Sequence, residues 1–288
     1  MTDPTETMPK EIAPGYFEVS VPDWKGFQDY IYEMATLDAY IWRGQRCDSW
    51  LLEPTIDRLI KKQSTSDPFF HYQHLERFKL STRGRRGFSP PAIKDDNDWW
   101  ALGQHHGLAT PLLDWTTSPF VAAFFAFADA GMTDQTDYRA IYALHFPTVE
   151  TLSNQNRYKE NARRNTRLKE IQKNPDGSRT IADLICTGEA EPELVIIRPQ
   201  SDENQRLVNQ GGLFTRLTQK GLLEEWINKN NQETDGDGAV LLKILVPNSE
   251  RSIALRMLNR MNINPASLFP DLAGSSMHCN LFSEIENY

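Results

Sequence analysis

An excess of positive charge is the first thing this 288-residue chain lacks: 31 Lys and Arg face 39 Asp and Glu, for a formal net charge of −8. That balance does not advertise strong non-specific nucleic-acid binding, although a local basic patch remains compatible with it. Cysteine is scarce too. Cys47, Cys186 and Cys279 are far apart, no two at metal-ligand spacing, and an odd count makes no disulfide framework. Such usage suits a reducing cytosol. No run approaches the ~18 apolar residues of a membrane span. The opening MTDPTETMPKEIAPG has neither the basic start nor the apolar run of a secretion signal. A cytoplasmic protein without a membrane partner is the expectation. No G-x-G-x-x-G follows a strand-like run, so nothing points to hydride transfer. G-x-S-x-G and a P-loop are absent as well, and no internal repeat is evident.

What is present is ample core material, with hydrophobic residues at 39%, seven Trp and fourteen Phe. The chain is organised around Gln104–Phe127, QHHGLATPLLDWTTSPFVAAFFAF. Polar groups open it, Gly107 and Pro111 punctuate a turn, and Asp114 to Ser118 cluster short oxygen-bearing side chains. Ser118-Pro119 reads as an N-cap followed by Pro at the first helical position. The run Val121–Ala128 mixes small and large apolar residues, as in a buried helix packed closely on a sheet. A polar loop at the lip of a core helix is how a rigid scaffold presents functional groups, though Asp, Thr and Ser there are also ordinary capping residues.

Elsewhere, Trp24–Leu37 has helical spacing, and Tyr40–Gln45 reads as a buried strand with a Gly-permitted exit. Residues 67–80 and Asp95–Leu102 read as helices. Tyr138–Phe146, Leu194–Ile197 and Ala239–Val246 read as strands. Residues 1–20 form an expected flexible N-terminal segment, and 21–288 a single domain with a polar, partly helical insertion at about 148–180. Asp176-Gly177 and Asp235–Gly238 are expected turns or loops. Leu222–Ile227 and Ser249–Met261 read as helices. The cluster Arg83–Arg86 is either a solvated loop or a contact for an anion. The fold expectation is α+β, a split, mixed sheet flanked by helices.

The run HHGLATPLLDWTTSP resembles the central motif of the FRG domain family. Trp42-Arg43-Gly44-Gln45, Arg206–Phe214 and the S-L-F-P-D-L-x-G run at Ser267–Gly274 resemble further family elements, in family order. Trp42 stands where the family has Phe, and Pro111 where it commonly has Arg. The element order is also similar to that of ADP-ribosyltransferases: Arg on a first core strand, a Ser/Thr element before a helix, and Gln or Glu late. The resemblance implies a sheet of ADP-ribosyltransferase type and NAD as co-substrate. It implies Arg43, His106, Asp114 and Gln210 as the residues carrying the chemistry. It implies Arg43, Gly44, Gln45, His105, Thr110, Trp115, Thr116, Ser118 and Phe214 as the NAD site.

Those residue types suit that chemistry. Arg is a fixed fork for a diphosphate. His and Thr/Ser groups suit ribose hydroxyls. Gln or a carboxylate can support a sugar as positive charge builds at its anomeric carbon. Trp115 or Phe214 could stack on nicotinamide. Asp114 either anchors the loop or serves as base. One departure stands out: where the late element usually carries Glu, this chain has Gly212. Glu189-Ala190-Glu191 has the right spacing but lies outside the motif. The expected function is ADP-ribosyl transfer to a nucleic acid, RNA above all, or a protein, by a toxin or anti-phage effector with a possible cognate antitoxin. The alternatives are a non-catalytic nucleotide- or RNA-binding module and NAD hydrolysis without an acceptor.

Overall fold

Among the described residues eight strands form one mixed sheet, and its two ends are built from segments distant in sequence. The computed structural model describes residues 8–34, 37–88, 90, 92–129, 136–171, 190–198, 205–232 and 238–288. The strands are β1 (Lys10–Ala13), β2 (Tyr16–Ser20), β3 (Tyr40–Gln45), β4 (Leu113–Thr116), β5 (Tyr138–His145), β6 (Leu194–Ile197), β7 (Gly212–Leu217) and β8 (Leu241–Pro247). Their spatial order is β1-β2-β8-β5-β3-β4-β7-β6. Only β2 and β8 run parallel; the other neighbours are antiparallel.

The central strands read as continuous apolar runs because both faces are covered. On one face Trp42, Ile141, Ala143, Leu242 and Ile244 pack under α1 (Trp24–Glu33), α5 (Pro119–Phe127) and a helix at Arg251–Arg260. On the other, Ile41, Tyr142, Leu144 and Leu245 pack under the start of α6 (Phe146–Ile171) and a helix at Leu223–Asn231. A third cluster joins Phe214 and Ile197 to α2 (Thr55–Gln63), α3 (Phe70–Ser81) and α4 (Asp96–His105).

Ser118 caps α5 by accepting from Val121 N at 3.3 Å, with Pro119 at its first position. The helix lies directly on β3. A Cβ on Gly44 would stand 1.9 Å from the Ala122 carbonyl oxygen. Gly44 and the small Ala122 and Ala126 therefore permit a backbone-to-backbone approach that no side chain allows. At the other end of α5, Arg139, 1% exposed, donates to Ala126 O at 3.2 Å, and Arg251 Nε donates to Phe127 O at 2.9 Å. Two cations thus serve the orphan carbonyls at the negative end of the helix.

The structure corrects several expectations. Residues 10–20, read as part of a flexible segment, form β1 and β2; β2 is registered to β8 with Val19 buried, and β1, whose side chains are mostly exposed, is held by its pairing to β2. The sheet has four strands beyond those expected, β1, β2, β4 and β7. The stretch from residue 148, read as an insertion, begins as the body of α6, with Val149 and Leu152 buried against the sheet. Phe146, read as the strand's last residue, is the first of that helix. The expected turn at 176–177 and most of the 235–238 loop lie outside the described residues, as do Cys186 and Glu189.

Candidate functional site

The sheet is nearly divided in two. β3 and β4 share a single registered pair, Trp42 with Thr116. Past that pair, Arg43 takes the place of a backbone rung, its NH1 donating to Asp114 O at 2.8 Å. A cleft of about 520 Å³ opens here. Arg43, Gly44 and Gln45 line one side and Asp114, Trp115 and Thr116 the other, with Gln210 at one edge.

A relay of side chains fixes the two central groups. Thr110 Oγ1 donates to Gln104 Oε1, and Gln104 Nε2 donates to Asp114 Oδ2 at 2.8 Å. Asp114 Oδ2 lies 3.6 Å from Arg43 NH1. The Asp114 side chain is 56% exposed and the Arg43 side chain 18%, so the carboxylate projects into the cleft while the guanidinium forms its floor. Burial lowers the basicity of Arg43 and the nearby Arg58 charge adds to that, against the opposing pull of Asp114. Gln210 is positioned twice: Thr116 Oγ1 donates to its carbonyl at 2.6 Å, and its own Nε2 donates to Leu268 O at 3.2 Å. That second bond leaves Oε1 as the acceptor available to a ligand.

Seven of the residues expected from sequence thus meet at one cleft: Arg43, Gly44, Gln45, Asp114, Trp115, Thr116 and Gln210. Others do not. Ser118 is occupied as the α5 cap. Thr110 is wholly buried and acts one step back, through Gln104. Phe214 is buried in the cluster under α2 and α4, away from the cleft wall. Trp115 lines the cleft but is only 3% exposed, and its indole N–H is bonded to Thr215 Oγ1 at 2.8 Å. Neither aromatic offers a free face for stacking. His105 and His106 sit at the end of α4, edge to face at 4.7 Å, outside the cleft lining. Burial, His106 and Arg206 together push the His105 imidazole below its ordinary value. Glu191 pairs with Arg216 at 3.7 Å, also away from the cleft.

Sequence reasoning missed half the wall. Arg46, Trp50, Glu53, Arg58, Phe125 and Asp129 all line the cleft. Arg46 pairs with Asp129 and lies over the Trp50 ring at 4.9 Å. Glu53 is bound to Lys61 at 2.6 Å. The Trp50–Glu53 wall is held from behind, where Tyr142 OH donates to Trp50 O at 3.2 Å and Leu52 N donates to Glu224 at 2.8 Å. Nothing in the sequence singles out Phe125, since α5 is apolar throughout; only the structure shows it 36% exposed between buried Phe124 and Ala126.

Among the described residues no group of His, Cys, Asp and Glu is arranged to hold a metal, and no helix is long and apolar enough to cross a membrane. Cys47 and Cys279 are free thiols. No curated protein and no solved structure matches the chain. Residues 38–135 do match a family model; this segment carries Arg43, Gln104, Asp114 and all of α5, and the family it matches is the FRG domain.

Proposed function

We propose that the cleft binds NAD and that the protein is an NAD-dependent ADP-ribosyltransferase, passing ADP-ribose to a nucleic acid or protein acceptor. The observation that carries this reading is the convergence of Arg43, Asp114 and Gln210 on one cleft at the division of the sheet. Arg43, with exposed Arg58 also lining the cleft, offers donors to a diphosphate. Gln210 Oε1 accepts a hydroxyl of the nicotinamide ribose. The Asp114 carboxylate faces the anomeric carbon, where it stabilises developing positive charge and takes the acceptor's proton. The C1′–N bond breaks and its electron pair leaves with nicotinamide, which becomes neutral. The nucleophile's lone pair then forms the new bond to C1′.

A chain with this activity suits a toxin or anti-phage effector in the cytoplasm, and a cognate antitoxin would be its partner. Incubation with labelled NAD and separate pools of cell RNA, DNA and protein tests the reading. A labelled macromolecule with matching nicotinamide release is the expected result. Nicotinamide release without label would leave only NAD hydrolysis, and neither signal would overturn the reading.

A second reading is a non-catalytic nucleotide- or RNA-binding module. One observation favours it: every cleft carboxylate is already engaged, Asp114 by Arg43 and Gln104, Asp129 by Arg46, and Glu53 by Lys61. Gly212 adds no replacement. Salt-dependent RNA affinity without turnover would select this reading.

A further inference from the structure

The Gln210 edge of the cleft continues into a small aromatic platform. Phe125, at 36% the most exposed residue of the mostly buried α5, lines the cleft and meets Phe269 edge to face at 6.0 Å. The Arg206 guanidinium lies over the Phe269 ring at 5.5 Å and is held by Asp271, with Nε to Oδ2 at 2.7 Å. The Gln210 amide reaches the carbonyl of Leu268, the residue before Phe269, so platform and reaction edge are directly joined.

We propose that this platform seats an unpaired nucleobase of a single-stranded nucleic acid, and that the acceptor atom of the transfer belongs to that base. The second half rests on the transferase reading above; the first does not. The exposed Phe125 ring is the surface a base would pack on, with Phe269 perpendicular to it and the Arg206 plane over Phe269, and every base has a π-face to offer. A base paired in a duplex cannot present that face. The Arg206–Asp271 pair and Gln210 could also meet a protein side chain, and labelling of protein in place of nucleic acid is accordingly one outcome of the test. The charges at the platform are nearly balanced. Asp271 answers Arg206, and burial, with His106 and Arg206 nearby, holds the His105 imidazole below its ordinary value. Binding there therefore depends on stacking more than on phosphate neutralisation, which fits a chain of net charge −8.

In the transfer, the C1′–N bond of NAD breaks with its electron pair going to nicotinamide. A ring nitrogen or exocyclic amine of the seated base forms the new bond to C1′, and the proton it sheds goes to Asp114 or to water.

The test measures binding of a short, labelled, mixed-sequence single strand to the full chain without NAD, in parallel with NAD binding. The wild type is expected to bind the strand, to prefer it to the matching duplex, and to lose little affinity as salt rises. Phe125→Ala should weaken strand binding by roughly 5- to 150-fold, the loss of one stacked base. Phe125→Trp, which enlarges the face, should hold or improve it, and decides the matter should Phe125→Ala fail to fold. Unchanged affinity in Phe125→Ala, or a weakened Phe125→Trp with an intact fold, overturns the proposal. So does a wild type that binds NAD but no single strand, or one that labels protein and not nucleic acid. Strand binding without NAD binding would sink the transferase reading while leaving the seated base standing.

Discussion

Arg43 is a buried cation whose removal strands no charge, although Asp114 O loses a donor. Its partner Asp114 is 56% exposed and remains held by Gln104, so Arg43→Ala leaves no carboxylate buried and alone. We expect this variant to melt within a few degrees of wild type and to lose NAD affinity by tenfold or more, read by calorimetry on both proteins. Unfolding would instead mark Arg43 as the tie that holds β3 to β4. Gln210 belongs to the transition state in the proposed reaction. Its alanine variant should lose about 10²–10³ in kcat with NAD affinity little changed, whereas Glu191→Ala, on an exposed ion pair elsewhere, should match wild type. The opposite pattern would move the chemistry to Glu191. Glu224 makes a different statement. Burial pushes its carboxyl up, and one of its oxygens is buried without a partner. A folded-state value above the unfolded one means that ionisation opposes folding. The contribution is intact below the unfolded value of about 4.3 and is lost as pH rises through the folded one. Glu224→Gln keeps an oxygen for Leu52 N and never ionises. It should therefore be more resistant to denaturant than wild type at neutral pH, and the gap should close in acid; an equal gap at both would show that ionisation there is without cost.

At the scale of elements, Gly44 and Ser118 serve the same helix differently. Gly44→Ala would push β3 off α5, since its new Cβ cannot share space with Ala122 O. We expect a loss of about 3 kcal/mol or more and a damaged cleft. Ser118→Ala removes only a cap, about 1 kcal/mol, and should leave NAD binding as it was. Thermal melts beside a binding curve separate the two; a Ser118 variant that folds but fails to bind would restore that residue to the site. The same elements explain what could be read from sequence. β3, β5, β6 and β8 announced themselves as apolar, branched runs because both faces are covered. β1 did not, because KEIA is exposed and is held by its backbone. β4 is four residues with an outward Asp114, and looked like loop beside Gly107 and Pro111. The Arg43, Asp114 and Gln210 meeting was legible through motif order. The Trp50–Arg58 wall was not, because nothing local tells a segment across which gap it will lie. Phe214 was misjudged for a related reason, since an aromatic in a functional motif reads the same whether it faces ligand or core and only its packing under α2 and α4 decides; Trp115 does line the cleft, but its burial removes the stacking face expected of it.

At the scale of the molecule, the sheet is two plates, β1-β2-β8-β5-β3 and β4-β7-β6, that share one backbone pair and one arginine. A nucleotide in the cleft would touch both plates and act as a clasp. That has a consequence for slow motions. Separation of the plates exposes the facing edges of β3 and β4 together, so their amide protons should exchange with solvent in a shared opening, apart from the rest of the sheet. Saturating NAD should then slow exchange on both edges by a similar factor, even at amides no nucleotide atom can reach. Mass-resolved hydrogen–deuterium exchange reads this directly. Protection of one edge alone would mean that the nucleotide rides on a single plate, and that the other swings free while the bond at C1′ is being broken.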